Sequence, residues 1–202
     1  VMFVDELGNE IDGDVVETVC ALDLQKRGLL RDDTVVSTVM CNLGFTKAME
    51  AAGISVVQTQ VGDKYVLNEM RKLNAVIGGE QSGHMIFLDH NSTGDGLITA
   101  LQFLAACLRN DQPVSETAAL MQRFPQELIN VRVADKHAVS ENAVVANAIA
   151  EAEAKLDGSG RILVRPSGTE PLVRVMVEAA THEEALGYAQ EIASIIEREL
   201  GQ

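Results

Sequence analysis

Between residues 34 and 88 the chain alternates short β-branched runs with segments of helical period, and that alternation leaves few architectures open. Residues 34–40 read as a strand, 44–52 as a helix closed by Gly53, 54–61 as a strand, 64–73 as a helix, 75–77 as a strand and 85–88 as another. Strand–helix–strand units bring successive strands back parallel, so an α/β layer with parallel pairing is expected. A helix over 12–30 precedes the alternation, opened by Asp12, Gly13 and Asp14 with Val15, Val19 and Leu22 on one face. A strongly apolar helix over 96–109 follows, with Asp95 near its start. Together these make a three-layer mixed α/β domain over residues 12–123.

Around Met121-Gln-Arg-Phe-Pro125 the rhythm changes, and a smaller α+β domain is expected over 124–202. Its strands fall at 128–133, 162–164 and 172–177, with an alanine-rich helix at 141–156. Thr181 and Glu184 have capping-box spacing before a helix whose buried stripe is Leu186, Ala189, Ile192, Ile196 and Leu200. Residues 1–11 read as a strand and a turn with neither an initiator Met nor a polar lead-in. They are expected to be the strand remnant of a preceding domain, in a chain cut from something longer.

The most chemically informative stretch is Arg165-Pro-Ser-Gly-Thr-Glu-Pro171, set between two apolar strands and followed by Arg174. Two prolines stiffen the loop, and Gly168 lets backbone approach an oxyanion with no Cβ in the way. Ser167 and Thr169 add hydroxyls, while Arg165 and Arg174 offer forked donors to phosphate oxygens. The same residue types also suit a plain hairpin connection with two surface arginines.

A second constellation, Gly78-Gly-Glu80-Gln-Ser82-Gly-His84, leaves the sheet at the carboxyl end of a strand, where open α/β sheets place ligands. In an extended segment Glu80, Ser82 and His84 would alternate onto one side. Their acceptors and donors suit vicinal hydroxyls or an amine, a set for reading a sugar more than for catalysis. Gly-rich turns with a solvated Glu and a satisfied His are the alternative. Asp89, His90 and Asp95 lack the spacing of a metal-ligand motif, so no metal site is expected within the chain.

The net charge of −14 argues against a general nucleic-acid binder, so an anionic ligand must meet a local basic patch, which Arg161, Arg165 and Arg174 could form. Cys20, Cys41 and Cys107 are widely spaced in apolar surroundings, which suits a reducing, cytoplasmic setting rather than a disulfide framework. No apolar run reaches the ~20 residues of a membrane span.

The ordered pair of motifs, Gly-Gly-Glu80-Gln-Ser82-Gly-His84 and then Arg165-Pro-Ser167-Gly168-Thr169-Glu-Pro171, resembles the α-D-phosphohexomutase superfamily. Val61-Gly-Asp63-Lys-Tyr65, Thr93-Gly-Asp95-Gly96 and Asn42-Leu-Gly-Phe45 look like its bacterial glucosamine-phosphate branch. The resemblance implies the last two of four domains, with Glu80, Ser82 and His84 holding sugar hydroxyls and Arg165, Ser167, Gly168, Thr169 and Arg174 gripping the non-reacting phosphate. It also implies interconversion of glucosamine 6-phosphate and glucosamine 1-phosphate through an enzyme phosphoserine, Mg²⁺ and a hexosamine bisphosphate. The phosphoserine loop and the Asp-rich Mg²⁺ loop of that family are missing from this sequence, so no residue here is assigned a catalytic or metal-binding role. The fragment alone is expected to be inactive. A phosphomannomutase or phosphoglucomutase relative, or a non-catalytic sugar-phosphate-binding module, are the alternatives; oligomeric state is not readable.

Overall fold

A computed structural model describes residues 1–201, which divide into two compact units, the first Val1–Arg123 and the second from Phe124 onward. The first opens with a two-stranded antiparallel ribbon, β1 (Phe3–Val4) and β2 (Glu10–Ile11), whose turn is held by the Asp5 carboxylate accepting from the N–H groups of Leu7 and Asn9 at 2.9 and 2.8 Å. Its main sheet contains β3 (Thr34–Thr38), β4 (Ser55–Thr59), β5 (Ile77–Gly79) and β6 (Met85–Phe87) in the order β4-β3-β5-β6. Strand β3 is parallel to both β4 and β5, and β6 closes the edge antiparallel to β5.

Helices α1 (Gly13–Lys26), α2 (Leu43–Ala51), α3 (Asp63–Leu73), α4 (Gly96–Asn110) and the short α5 (Val114–Ala118) complete this unit. Successive strand residues point to opposite faces. Val35, Ile77, Met85 and Phe87 pack in one core with α1, α2 and α4 residues such as Val16, Phe45 and Phe103. Val36 and Ile86 instead join Val66 and Met70 of α3 in a second core on the other face. The expected three layers are therefore present, with α1 so enclosed that every residue from Gly13 to Ala21 is buried. The caps are local in origin: Asn42 accepts from Gly44 N at 3.0 Å to start α2, and Asp95 accepts from Leu97 N and Ile98 N at 2.9 and 3.0 Å to start α4.

Three sequence expectations shift. Helix α1 stops at Lys26 rather than near residue 30, because Gly28 takes a left-handed turn at φ +67°. Helix α5 was not anticipated. Strand β5 lies at 77–79 rather than 75–77, so the paired glycines are in the sheet and not in the turn. A Cβ on Gly78 would stand 2.6 Å from Val36 O and 2.8 Å from Met70 Sδ, so only glycine lets α3 settle this closely on β5.

The second unit is an antiparallel sheet, β7 (Gln126–Arg132), β8 (Arg161–Pro166) and β9 (Leu172–Glu178) in the order β7-β9-β8, with α6 (Ala143–Leu156) and α7 (His182–Leu200) packed on it. Val173, Val175 and Val177 of β9 share a core with Val145, Leu156, Ala189, Ile192 and Ile196. By strand alternation Arg174 and Met176 face away from that core. Thr181 Oγ1 accepts from Glu184 N at 3.2 Å to cap α7, as its spacing suggested. Among the described residues no helix is long and apolar enough to cross a membrane.

Candidate functional site

In the first unit the segment after β5 is not extended but turns back tightly: Glu80 N donates to His84 O at 3.0 Å, and Gly83 N donates to Glu80 O at 2.9 Å with Gly83 at φ +90°. The expected alternation therefore does not bring Glu80, Ser82 and His84 together; the turn does. Both Glu80 oxygens are engaged, Oε1 accepting from Gly62 N at 2.9 Å and Oε2 lying 3.2 Å from His84 Nδ1, which is also 3.3 Å from Ser82 Oγ. In the tautomer with the proton on Nδ1, His84 donates to the Glu80 carboxylate and leaves Nε2 as an acceptor on an exposed ring. Glu80 itself is only 8% exposed, whereas Ser82 and His84 are exposed. The turn thus sets a nearly buried, already engaged carboxylate beside two exposed polar groups, Ser82 and His84.

This turn rests on the amino end of α1. Gly13 N donates to Gln81 O at 2.9 Å, and a Cβ on Gly13 would lie 2.0 Å from Glu80 O and 2.8 Å from Gly83 N. Three acids stand at that helix end. Asp12 caps it, accepting from Val15 N at 3.2 Å and pairing with Arg123 at 2.8 Å, while Asp14 Oδ2 accepts from Asn42 N at 2.7 Å. Glu17 is fully buried, and neither of its carboxyl oxygens has a hydrogen-bond partner among the described residues. Ser37 Oγ, close enough to favour its charged form slightly, donates to Gly79 O at 3.3 Å. Burial first, and the charge of Asp14 second, push the Glu17 carboxyl well above the ordinary glutamate value.

In the second unit Arg165 of β8 and Arg174 of β9 are directly opposed across the antiparallel ladder. Like charges so placed repel. The Arg165 guanidinium makes no hydrogen bond or ion pair among the described residues, and Arg174 has only Glu170 at a long 3.6 Å. Burial, then the neighbouring Arg174, lower the Arg165 pKa from the usual arginine value. Arg161, expected to join this basic patch, does not: it lies at the far end of β8, paired with the buried Glu178 at 3.1 Å.

The loop between these strands is closed by Ser167 N donating to Leu172 O at 2.9 Å and Leu172 N to Glu170 O at 2.9 Å. Ser167 is 2% exposed and its Oγ accepts from Glu170 N at 3.4 Å, so its hydroxyl faces into the loop. Gly168 and Thr169 are exposed at the tip, and their N–H groups have no partner among the described residues. Two residues outside the two loop motifs complete these arrangements: Gly62, whose N–H fixes Glu80, and Lys136, whose Nζ lies 2.6 Å from Ser167 O and 3.3 Å from Gly168 O. Both act through space from distant positions in the chain.

Among the described residues no three His, Cys, Asp or Glu side chains are grouped to hold a metal ion, so these residues do not fit Mg²⁺.

Residues 12–124 match the family "Phosphoglucomutase/phosphomannomutase, alpha/beta/alpha domain III", and residues 128–195 match "Phosphoglucomutase/phosphomannomutase, C-terminal domain". The chain is 56% identical over 198 residues to the phosphoglucosamine mutase of Geobacillus thermodenitrificans strain NG80-2, covering 98% of this chain and 44% of that protein. It is 54% identical to the phosphoglucosamine mutase of Bacillus subtilis strain 168 with the same coverage. The chain thus spans less than half the length of the curated relatives it matches. Among solved structures it is similar in fold to Aspergillus fumigatus N-acetylphosphoglucosamine mutase in complex with GlcNAc-6P and magnesium, at TM-score 0.77 and 22% identity over 96% of this chain and 49% of that one. A substrate complex of N-acetylglucosamine-phosphate mutase gives TM-score 0.79 at 23% identity, over 96% and 46%.

Proposed function

This chain belongs to the phosphoglucomutase/phosphomannomutase family, and from that premise we propose that it is the sugar- and phosphate-binding part of a phosphoglucosamine mutase, interconverting glucosamine 6-phosphate and glucosamine 1-phosphate. Glu80, Ser82 and His84 hold the sugar's hydroxyl or amino groups. Arg165, Ser167, Gly168, Thr169 and Arg174 hold the phosphate that is not reacting. Binding energy collected at that remote phosphate positions the reacting oxygen. The transferred phosphoryl group, the Mg²⁺ that assists it and the bisphosphorylated sugar that carries the reaction forward are assigned to the rest of a longer polypeptide, so this chain alone does not turn over substrate. A cytoplasmic setting suits three buried cysteines that form no disulfide among the described residues.

The observation that carries the reading is the opposed Arg165–Arg174 pair beside two unpartnered N–H groups. Two guanidinium groups held across a ladder without a strong counter-charge cost stability unless an anion joins them. A phosphate accepts from both forks and from the loop backbone. The test is an amide NMR titration of the chain with glucosamine 6-phosphate, glucose 6-phosphate and free glucosamine. Both phosphates are expected to shift Gly168 and Thr169, and the amino sugar phosphate to add shifts around residues 80–84. Arg174→Ala is expected to weaken sugar-phosphate binding ~10-fold or more, about the effect of one charge-assisted hydrogen bond, with little change in the unfolding midpoint. Unchanged affinity in that variant would count against the cradle.

A further inference from the structure

The loop from Ser167 to Pro171 sorts its polar groups by kind. Ser167 O, Gly168 O and Glu170 O all lie within reach of Lys136 Nζ, at 2.6, 3.3 and 3.5 Å. Pro171 O accepts from Val133 N at 3.4 Å, and Glu170 O also accepts from Leu172 N at 2.9 Å. Four of the five carbonyls in this loop are therefore engaged, three of them by one ammonium group. The N–H groups of Gly168 and Thr169 are the donors left over. An anion arriving at the tip meets these donors, while three of the oxygens that would repel it are turned towards a cation.

We propose that Lys136 is the positioning residue of the phosphate loop, gathering three of its carbonyls onto one ammonium and leaving the N–H groups of Gly168 and Thr169 to a phosphate. This rests on the reading of the 165–174 region as a phosphate site. The chemistry asks for lysine: an ammonium is a compact charge with three donors, matching three converging carbonyls, whereas the guanidinium of arginine is a planar fork suited to two parallel acceptors. Local structure aims the side chain. Asp135 Oδ1 accepts from His137 N at 2.9 Å, forming a tight turn immediately after Val133, with Lys136 half-buried at its centre. The ammonium also puts a third positive charge on the loop that Arg165 and Arg174 flank. Lys136 touches carbonyls and not the ligand, so its effect on binding passes through the geometry of the loop.

The experiment compares wild-type chain with Lys136→Met, which keeps length and removes the charge, and Lys136→Gln, which keeps two N–H donors without charge. The carbonyl carbon shifts of Ser167 and Gly168 are read first without ligand, and the amides of Gly168 and Thr169 are then titrated with inorganic phosphate. The expected result is that Lys136→Met moves the two carbonyl signals while leaving those of β7 and α7 in place, and weakens phosphate binding ~10-fold, with Lys136→Gln in between. Wild-type phosphate affinity and wild-type Ser167 and Gly168 carbonyl shifts in Lys136→Met, or in Lys136→Gln should the first variant not fold, overturn the proposal while leaving the phosphate site intact. If the wild-type amides do not respond to phosphate and Arg174→Ala changes nothing, the phosphate reading itself falls and this proposal falls with it.

Discussion

The two loops solve the problem of holding a polar ligand in opposite ways. In the first unit Glu80 is satisfied before any ligand arrives, bound by Gly62 N and faced by His84, on a turn pressed against a helix end. In the second unit Arg165 and Arg174 are left facing each other, and the loop tip keeps free donors. A neutral, hydroxyl-rich ligand is discriminated by geometry, which demands rigidity. A phosphate is recognised by charge, and an uncompensated charge stores part of its binding energy in the free protein as repulsion.

The sharpest way to break this contrast is to add the same methyl group beneath the first loop and at the tip of the second. In Gly13→Ala helix propensity favours alanine by about 1 kcal/mol, but the new Cβ would stand 2.0 Å from Glu80 O, and backbone cannot yield cheaply. A net loss of about 3 kcal/mol in denaturant unfolding is expected, with shifted amides at residues 80–84. A next, smaller effect tests whether the ground beneath the first loop is charged. Glu17→Met removes a buried acid without partners and is expected to stabilise by about 1 kcal/mol at neutral pH. The folded-state pKa of Glu17 is raised, so wild type carries no ionisation penalty below the unfolded-state value of about 4.3 and loses stability as pH rises above it. The advantage of Glu17→Met is therefore largest at neutral pH and shrinks on acidification, which unfolding curves across that range would check. The smallest change in stability is expected for Gly168→Ala, which meets no atom within 4 Å, and unfolding should move by less than about 0.5 kcal/mol. Its phosphate affinity should nevertheless fall several-fold in the same titration, because the methyl stands where the anion approaches.

Periodicity was enough to read the three layers of the first unit and the two-helix sandwich of the second, because Val35 and Val36, or Val173 and Arg174, announce opposite faces by alternation alone. Where reading failed, a contact between distant residues decided. Gly78 and Gly79 look like turn residues, yet they sit in β5 because α3 approaches it too closely for any side chain. The candidate site residues were legible as local motifs, whereas their supports were not: Gly62, Gly13 and Lys136 belong to the loops only through folded contacts. Arg161 shows the converse, being near Arg165 in sequence and committed to Glu178 in the structure.

The contact between Gly13 and the turn above it also has a bearing on how such a site could change over time. The floor of the turn at residues 80–84 is the first residue of a helix carrying nothing but a hydrogen atom, so the turn's depth is fixed from below. Changes in what the proposed site accepts are reachable through the exposed positions 82 and 84, or through the loop carrying Gly62. Routes that thicken position 13 close off, whatever they might gain at the surface, and the evolvable part of this site is its rim.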